Sequence, residues 1–256
     1  MTHADMILET KKLTRQFNGF TAVNAVDLRV RRGTIHALIG PNGAGKTTCF
    51  NLLTKFLTPT SGQIFFDGRE ITRAAPAAIA RQGVVRSFQI SAVFPHLTPV
   101  ENVSIALQRP LGVSFRFWKS GAMLKRLRER ALDLLDEVGM TAHADLKTAE
   151  LSYGHKRALE IATTLAMDPA LMLLDEPTQG MGHEDVDRVT ALIRKVSAGR
   201  TILMVEHNMK MVSSIADTIT VLQRGEILAE GDYETVSADP QVKEAYMGNE
   251  NGMLEH

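Results

Sequence analysis

The chain has 256 residues, 44% of them hydrophobic and 23% charged, so it can bury a sizeable core and is neither disordered nor collagen-like. Twenty-nine basic residues balance 29 acidic ones, which excludes the strongly basic surface typical of a dedicated nucleic-acid-binding protein. The single cysteine, Cys49, and the lack of a signal-peptide pattern or an apolar run of about 18 residues predict a cytoplasmic protein that reaches any membrane through a partner.

Strand patterns occur near the start of the chain and recur at wide intervals. Residues 6–13 begin apolar and residues 26–30 alternate apolar with polar, which predicts an antiparallel edge sheet. Residues 35–39, 170–174 and 201–205 are nearly continuous apolar runs. Runs of this kind are typical of strands that are buried on both faces of a parallel sheet.

Helical spacing of apolar residues appears between these runs, at 158–166 and 186–196, and the alternation predicts an α/β core. Residues 98–149 carry a helical pattern at 123–138 and no strand pattern, which predicts an inserted helical subdomain. The charges within that helix predict a solvated face, with a contact to anionic lipid or to a partner as the alternative. Residues 239–247 predict a short terminal helix.

The most specific signal is a glycine-rich run that matches GxxxxGK[ST] at every fixed position, after one strand pattern and before a helical one. The run and the residue after it are Gly40, Pro41, Asn42, Gly43, Ala44, Gly45, Lys46, Thr47 and Thr48. Glycines let backbone N–H groups converge on phosphate oxygens at the start of a helix. Lys46 adds a charge at the β- and γ-phosphates, and Thr47 offers a hydroxyl to Mg²⁺. The run predicts a phosphate-binding loop, the P-loop.

Two acids, Asp175 and Glu176, follow the apolar strand pattern at 170–174. A carboxylate at the C-terminal end of a central parallel strand lies beside the nucleotide crevice. We expect Asp175 to belong to the Mg²⁺ shell and Glu176 to polarise the attacking water. An ordinary loop would explain one acid there, but two acids favour a functional pair.

With these motifs in place, the chain resembles the nucleotide-binding subunits of ABC transporters. Residues 151–155, LSYGH, resemble the LSGGQ signature of that family and precede the acidic pair by about twenty residues. The resemblance implies a P-loop NTPase core with a parallel sheet and an antiparallel β-subdomain, formed by residues 1–97 and 150–256. The helical subdomain would be residues 98–149, and the single ABC transporter domain would span residues 7–248.

The resemblance also implies roles that the residues alone leave open. Phe17 would stack on adenine, although a core position is the alternative. Gln89 would contact Mg²⁺ and the water and sense the membrane partner, although it could be a surface loop residue. His207 would contact the γ-phosphate, although an ordinary loop histidine is the alternative. Ser152 and Gly154 would hold the ATP of the opposing subunit in trans.

Two departures from the family pattern concern the contacts between subunits. The signature has Tyr153 in place of a glycine and His155 in place of glutamine, while Ser152 and Gly154 are retained. Residues 179–182 lack the aspartate that the family usually carries there. We expect binding in trans and hydrolysis to be kept, and the missing aspartate leaves cross-talk between the two sites open.

The insert at 109–127, the switch run at 206–209 and the tail at 242–248 resemble the ATPases of branched-chain amino acid importers. ATPases for urea or short-amide import and for lipopolysaccharide export are similar and remain alternatives. A soluble ABC ATPase acting on nucleic acid or ribosomes is a further alternative, disfavoured by the single P-loop and the lack of sustained heptads. A non-hydrolysing regulatory module is disfavoured by Glu176 and His207.

The resemblance implies ATP and Mg²⁺ as ligands, and no nucleic acid. Its implied partners are transmembrane permease subunits, a second ABC ATPase in a homodimer or heterodimer, and, indirectly, a periplasmic substrate-binding protein. The implied location is peripheral, on the cytoplasmic face of the inner membrane.

Overall fold

The computed structural model describes residues 5–87, 93–108 and 121–247. The chain divides into two compact units, the first Met1–Gln82 with Gly199–His256 and the second Gly83–Ala198. Gln89 and most of the insert at 109–127 lie outside the described residues. The role assigned to Gln89 therefore stays a prediction.

The elements follow one another as eleven strands and nine α-helices among the described residues. The strands are β1 (Met6–Phe17), β2 (Phe20–Val26), β3 (Arg29–Arg31), β4 (Ile35–Ile39), β5 (Ser61–Phe66), β6 (Arg69–Glu70), β7 (Val84–Ser87), β8 (Leu171–Asp175), β9 (Thr201–Val205), β10 (Thr218–Gln223) and β11 (Glu226–Gly231). The helices are α1 (Lys46–Leu53), α2 (Pro76–Arg81), α3 (Pro99–Gln108), α4 (Gly121–Glu137), α5 (Tyr153–Leu165), α6 (His183–Val196), α7 (Met209–Ile215), α8 (Tyr233–Ala238) and α9 (Pro240–Met247).

The first unit contains both kinds of sheet that the sequence predicts. An antiparallel sheet is built on β1, which pairs with β2, β3 and β5, and β6 pairs with β5. A parallel set joins β10, β4 and β9, and β11 is antiparallel to β10. Every residue of β4 and β9 is buried, which explains why their sequences are apolar apart from His36 and Thr201.

Residues 26–30 do not form the single strand that their alternation predicts. β2 ends at Val26, and β3 begins at Arg29. The reason is the Thr10 hydroxyl, which donates to the Val26 carbonyl at 2.8 Å and accepts from the Leu28 amide at 2.8 Å. Because the Thr10 hydroxyl replaces a backbone partner for the Val26 carbonyl and for the Leu28 amide, the pairing with β1 changes register between β2 and β3.

The second unit pairs β7 with β8 in parallel, and α5 packs against β7. The helix predicted at 123–138 is confirmed as α4, whose apolar side chains Leu127, Ala131 and Leu134 are buried. Its charged residues from Lys125 to Arg130 are exposed, as a solvated face requires. No helix within the described ranges combines the length and apolarity needed to cross a membrane.

A buried histidine in β4 couples stability to pH. His36 is 1% exposed, and its Nε2 lies 2.7 Å from the Thr220 hydroxyl, which donates to Glu230 at 2.7 Å. Because the single proton of Thr220 goes to Glu230, His36 is the donor and carries its proton on Nε2. Burial lowers the pKa of His36 from 6.5 to about 4.

We therefore expect stability to fall as the pH drops from 6.5 towards 4. In that window the unfolded chain binds a proton that the folded chain excludes, at a cost approaching about 3 kcal/mol at the acidic end. Thermal melting of the wild type and of His36→Leu between pH 7.5 and 4.5 checks this, and the variant should show a shallower acid-side decline. The exposed His96→Leu control should follow the wild type, and equal slopes for His36→Leu would contradict the assignment.

Candidate functional site

The predicted P-loop lies in the first unit, between β4 and α1, and the structure explains two of its glycines by close packing. A Cβ on Gly40 would lie 2.1 Å from the Leu222 carbonyl oxygen, and one on Gly45 would lie 2.3 Å from the Ala22 carbonyl oxygen. Gly43 has open space around it but a φ of +78°, a conformation that L side chains rarely adopt. The loop thus needs glycine at all three positions.

Lys46 begins α1, as the sequence predicts, and its ammonium group is turned into the loop. Its Nζ donates to the carbonyls of Gly40 at 2.6 Å and Pro41 at 2.9 Å, and the residue is 6% exposed. Gly45 caps α1 without a side-chain hydrogen bond to the first-turn amides, and Thr47 is exposed. The loop therefore presents a cation, helix N–H donors and a hydroxyl, which together suit a polyphosphate.

Cys49 lies one turn into α1 and is fully buried. Burial raises the pKa of its thiol to about 12, so the reactive thiolate is absent at neutral pH. The cysteine is a small packing residue.

Phe17 is at the end of β1 and is 37% exposed, so it is not a core residue. The Arg15 guanidinium carbon lies 4.5 Å from the ring centroid, and Arg15 Nη1 is anchored to the Thr58 carbonyl at 2.8 Å. A cation on one face and partial exposure leave an aromatic surface suited to stacking.

His207 follows β9 and is exposed. The preceding Glu206 is 2% exposed, and its Oε2 accepts from the backbone amides of His207 at 2.6 Å and Asn208 at 3.2 Å. Asn208 in turn caps α7 by accepting from the Met211 amide at 3.0 Å. These bonds fix the backbone that carries the imidazole, a contribution of Glu206 that the sequence motifs do not predict.

In the second unit Asp175 ends β8 and is 2% exposed. Arg86 of β7 donates from Nη2 to Asp175 Oδ2, and the two side chains are 12% and 3% exposed. Arg157 adds a hydrogen bond to the Asp175 carbonyl at 3.3 Å. Arg86 belongs to none of the predicted motifs.

Removing Arg86 should be costly because it leaves the buried Asp175 carboxylate without the guanidinium that pairs with it. We expect Arg86→Leu to lower the free energy of unfolding by about 3 kcal/mol. Arg32→Leu is the matched control, since Arg32 pairs with Asp67 at 2.5 Å but both side chains are about half exposed or more, 48% and 65%. That exposed pair should be worth no more than about 1 kcal/mol. Chemical denaturation measures both, and equal losses would contradict the burial argument.

Glu176 follows Asp175 directly and is half-buried. Its φ is +45°, a left-handed conformation that is costly for a residue other than glycine. Strain of this kind persists only where the surroundings impose it, and it is concentrated at functional sites. Seven other described non-glycine residues also have a positive φ, so the catalytic role of Glu176 stays a prediction.

The signature run lies at the start of α5, where the Ser152 side chain caps the helix. Gly154 is buried, and a Cβ there would lie 2.8 Å from Asp185 Oδ1. Tyr153 is exposed, and its hydroxyl donates to the Gln179 carbonyl at 3.2 Å. Tyr153, which replaces a glycine of the family signature, is therefore hydrogen-bonded to residues 179–182, the segment that lacks the family's usual aspartate.

Each of the two units carries one predicted Mg²⁺ ligand among its described residues. Within the described ranges no three histidine, cysteine, aspartate or glutamate side chains form a metal cage. The exposed Thr47 hydroxyl of the first unit and the Asp175 carboxylate of the second are each a hard oxygen group of the kind that Mg²⁺ accepts.

The comparisons with known proteins agree with this set of motifs. A family model described as ABC transporter matches residues 23–179, and one described as branched-chain amino acid ATP-binding cassette transporter matches residues 226–250. The chain belongs to the ABC transporter family of ATP-binding, ATP-hydrolysing subunits.

Relatives of known name match almost end to end. The high-affinity branched-chain amino acid transport ATP-binding protein BraF of Pseudomonas aeruginosa is 42% identical over 249 residues, covering 94% of this chain and 98% of that protein. The corresponding LivG of Escherichia coli is 37% identical over 254 residues, with 94% and 98% covered.

Solved structures share the fold. The ADP-bound form of MJ1267, an ATP-binding cassette of an ABC transporter, superposes with a TM-score of 0.82 at 30% identity and covers 95% of this chain and 99% of that one. A dimeric post-hydrolysis state of the cassette MJ0796 with ADP and phosphate superposes with a TM-score of 0.72 at 26% identity, covering 88% and 98%.

Proposed function

We propose that this chain is the ATPase subunit that energises the uptake of branched-chain, hydrophobic amino acids. The observation that carries the proposal is the match of residues 226–250 to the branched-chain amino acid model, outside the part shared with ABC transporters in general. Two named relatives, BraF and LivG, support it over nearly their whole length.

ATP would bind through the P-loop, with its phosphates against the backbone amides of residues 40–48 and its base on Phe17. Lys46 would exchange the Gly40 and Pro41 carbonyls for β- and γ-phosphate oxygens, which are better partners because they carry charge. His207 would donate to the γ-phosphate from the backbone that Glu206 fixes. These groups stabilise the charge that develops during phosphoryl transfer.

Mg²⁺ would be held by Thr47, by Gln89 and, through water, by Asp175, and it supplies positive charge to the phosphates when bound. Arg86 neutralises Asp175, so the carboxylate already has a cation beside it before a metal binds. Glu176 would take a proton from the attacking water.

Hydrolysis would take place in a dimer of two ATPases, in which Ser152 and Gly154 contact the ATP bound to the opposing subunit. ATP favours the closed dimer because it contacts both subunits there, and its products do not. The opposing subunit would be a second copy or a related ATPase. The dimeric cassette MJ0796, which is similar to this chain, supports such an arrangement.

The membrane partners would be permease subunits, supplied with substrate by a periplasmic binding protein, and the chain would work at the cytoplasmic face of the membrane. The helices α3 and α4, within the predicted helical subdomain at 98–149, would carry the closing motion to the permease together with Gln89. None of these partners would be a nucleic acid.

Uptake of radiolabelled leucine, valine, urea and acetamide in cells lacking the gene tests the substrate class, with the wild-type chain restored on a plasmid. We expect leucine and valine uptake to depend on the restored gene, and urea and acetamide uptake to be independent of it. Gene-dependent uptake of urea or acetamide alone would overturn the substrate class while leaving the ATPase in place.

A further inference from the structure

A serine and two histidines form a connected cluster at the start of α5. The Ser152 hydroxyl oxygen accepts from the His155 backbone amide at 3.3 Å and lies 3.0 Å from His155 Nδ1. The His155 ring packs against the His143 ring, with centroids 4.1 Å apart and planes tilted by 36°. The hydroxyl proposed to contact ATP in trans is therefore in direct contact with an ionisable ring.

A hydroxyl can make only a limited number of hydrogen bonds, so the contact with His155 decides whether Ser152 can donate to another partner. Ser152 has one proton to donate and two acceptor positions, and the His155 amide uses one acceptor position. When Nδ1 carries no proton it accepts the Ser152 proton, and the hydroxyl has none left to donate elsewhere. When Nδ1 is protonated it donates to the remaining acceptor position, and the Ser152 proton is released for another partner.

A phosphate oxygen is only an acceptor, so it needs the Ser152 proton. The form of Ser152 that can bind ATP is therefore the form that accepts a hydrogen bond from His155. The side-chain amide found at this position in the family signature could donate at any pH, whereas a histidine donates reliably only when its ring is charged.

The surroundings of the ring favour its neutral form. Partial burial, the neighbouring His143 and Arg188 lower the pKa of His155 below its ordinary value of 6.5, and Asp185 opposes them. Asp185 and Arg188 lie on α6 and pair with each other at 3.6 Å. His143 Nδ1 is buried without a hydrogen-bond partner among the described residues.

We propose that His155 is a positioning residue that sets whether Ser152 can donate to ATP, so that the ATP contact in trans strengthens as His155 takes up a proton. The inference rests on the proposed trans role of Ser152. The proposal gives a role to the histidine that stands at position 155 in place of the family's glutamine: through it, ATP binding by this ATPase depends on pH.

The functional test uses the complete transporter in inside-out membrane vesicles, where the ATPase faces the medium. Gene-dependent ATP hydrolysis is measured from pH 5.5 to 8 for the wild type and for His155→Gln, with His183→Gln, an exposed histidine at the start of α6, as the control. We expect the wild-type KM for ATP to fall about tenfold towards acid pH, the worth of a hydrogen bond to a charged group. The His155→Gln profile should be flat and the control should follow the wild type.

A profile for His155→Gln that retains the wild-type slope would overturn the proposal. A second measurement separates it from the proposed function: nuclear magnetic resonance of ¹⁵N-labelled histidines in the purified full chain, with and without Ser152→Ala. The His155 ring should titrate below pH 6.5, and Ser152→Ala should shift its Nδ1 signal. Unaltered Nδ1 signals in Ser152→Ala would refute the hydrogen bond between Ser152 and His155. If the signals shift as expected but ATP hydrolysis does not depend on the gene, the proposed function is refuted, and the trans contact with ATP is refuted with it.

Discussion

Glu176→Gln should retain ATP binding and lose nearly all hydrolysis. The change keeps the size and shape of the side chain but removes the carboxylate that takes a proton from water, and a positioned general base contributes about 100- to 10,000-fold. Because glutamine meets the same backbone constraint at φ +45° as glutamate does, the fold should survive. Steady-state phosphate release and equilibrium binding of a fluorescent ATP analogue measure the two effects separately.

The control for this variant is Glu184→Gln, which alters an exposed acid in the first turn of α6. Its hydrolysis rate should match the wild type within experimental scatter. Hydrolysis by Glu176→Gln at the wild-type rate would show that another group activates the water, and loss of ATP binding would show that Glu176 has a structural role.

Lys46→Ala should abolish hydrolysis by removing nucleotide affinity as well as charge stabilisation. The ammonium is the only lysine or arginine group of the P-loop run, and two carbonyls of the loop hold it. A charge-assisted hydrogen bond to phosphate contributes about 1.5 to 3 kcal/mol, so ATP binding should weaken by one to two orders of magnitude. Binding isotherms for ATP measure the loss directly.

Lys125→Ala is the matched lysine control, since Lys125 is 79% exposed on α4 and lies 4.0 Å from Glu129. Its ATP affinity should equal that of the wild type. If Lys46→Ala bound ATP as tightly as this control, the P-loop lysine would not contact the phosphates and the proposed site would be wrong.

The parts of the fold that the sequence predicts well are those with one dominant physical cause. Burial on both faces makes β4 and β9 nearly continuous apolar runs, and their predicted bounds agree with the structure at both ends. The strand predicted at 170–174 is β8, which begins and ends one residue later and so includes the buried Asp175. The helix α4 follows from its wide apolar stripe.

Two of the strands that sequence patterns did not predict, β5 and β11, have weak or mixed signals. β11 is only partly buried along its length, and β5 has two buried residues, so neither shows a clean period. The break between β2 and β3 depends on the hydroxyl of Thr10, sixteen residues from Val26, which a local pattern does not contain.

The residues of the candidate site also divide into those that local motifs predict and those that only the fold brings together. The P-loop and the acidic pair are local motifs with fixed spacing, so the sequence predicts them. Arg86 acts on Asp175 from 89 positions away along the chain, and Glu206 acts through the backbone of its neighbours. The ring of His155 reaches Ser152 over three residues, but its contact with His143 requires the fold.

The central claim is that ATP hydrolysis by this chain drives branched-chain amino acid uptake. Initial uptake of radiolabelled leucine tests it most directly, in cells that lack the gene and carry either the wild-type chain or Glu176→Gln at equal protein levels. We expect uptake with the wild type and background uptake with Glu176→Gln. Equal leucine uptake with both chains would contradict the claim.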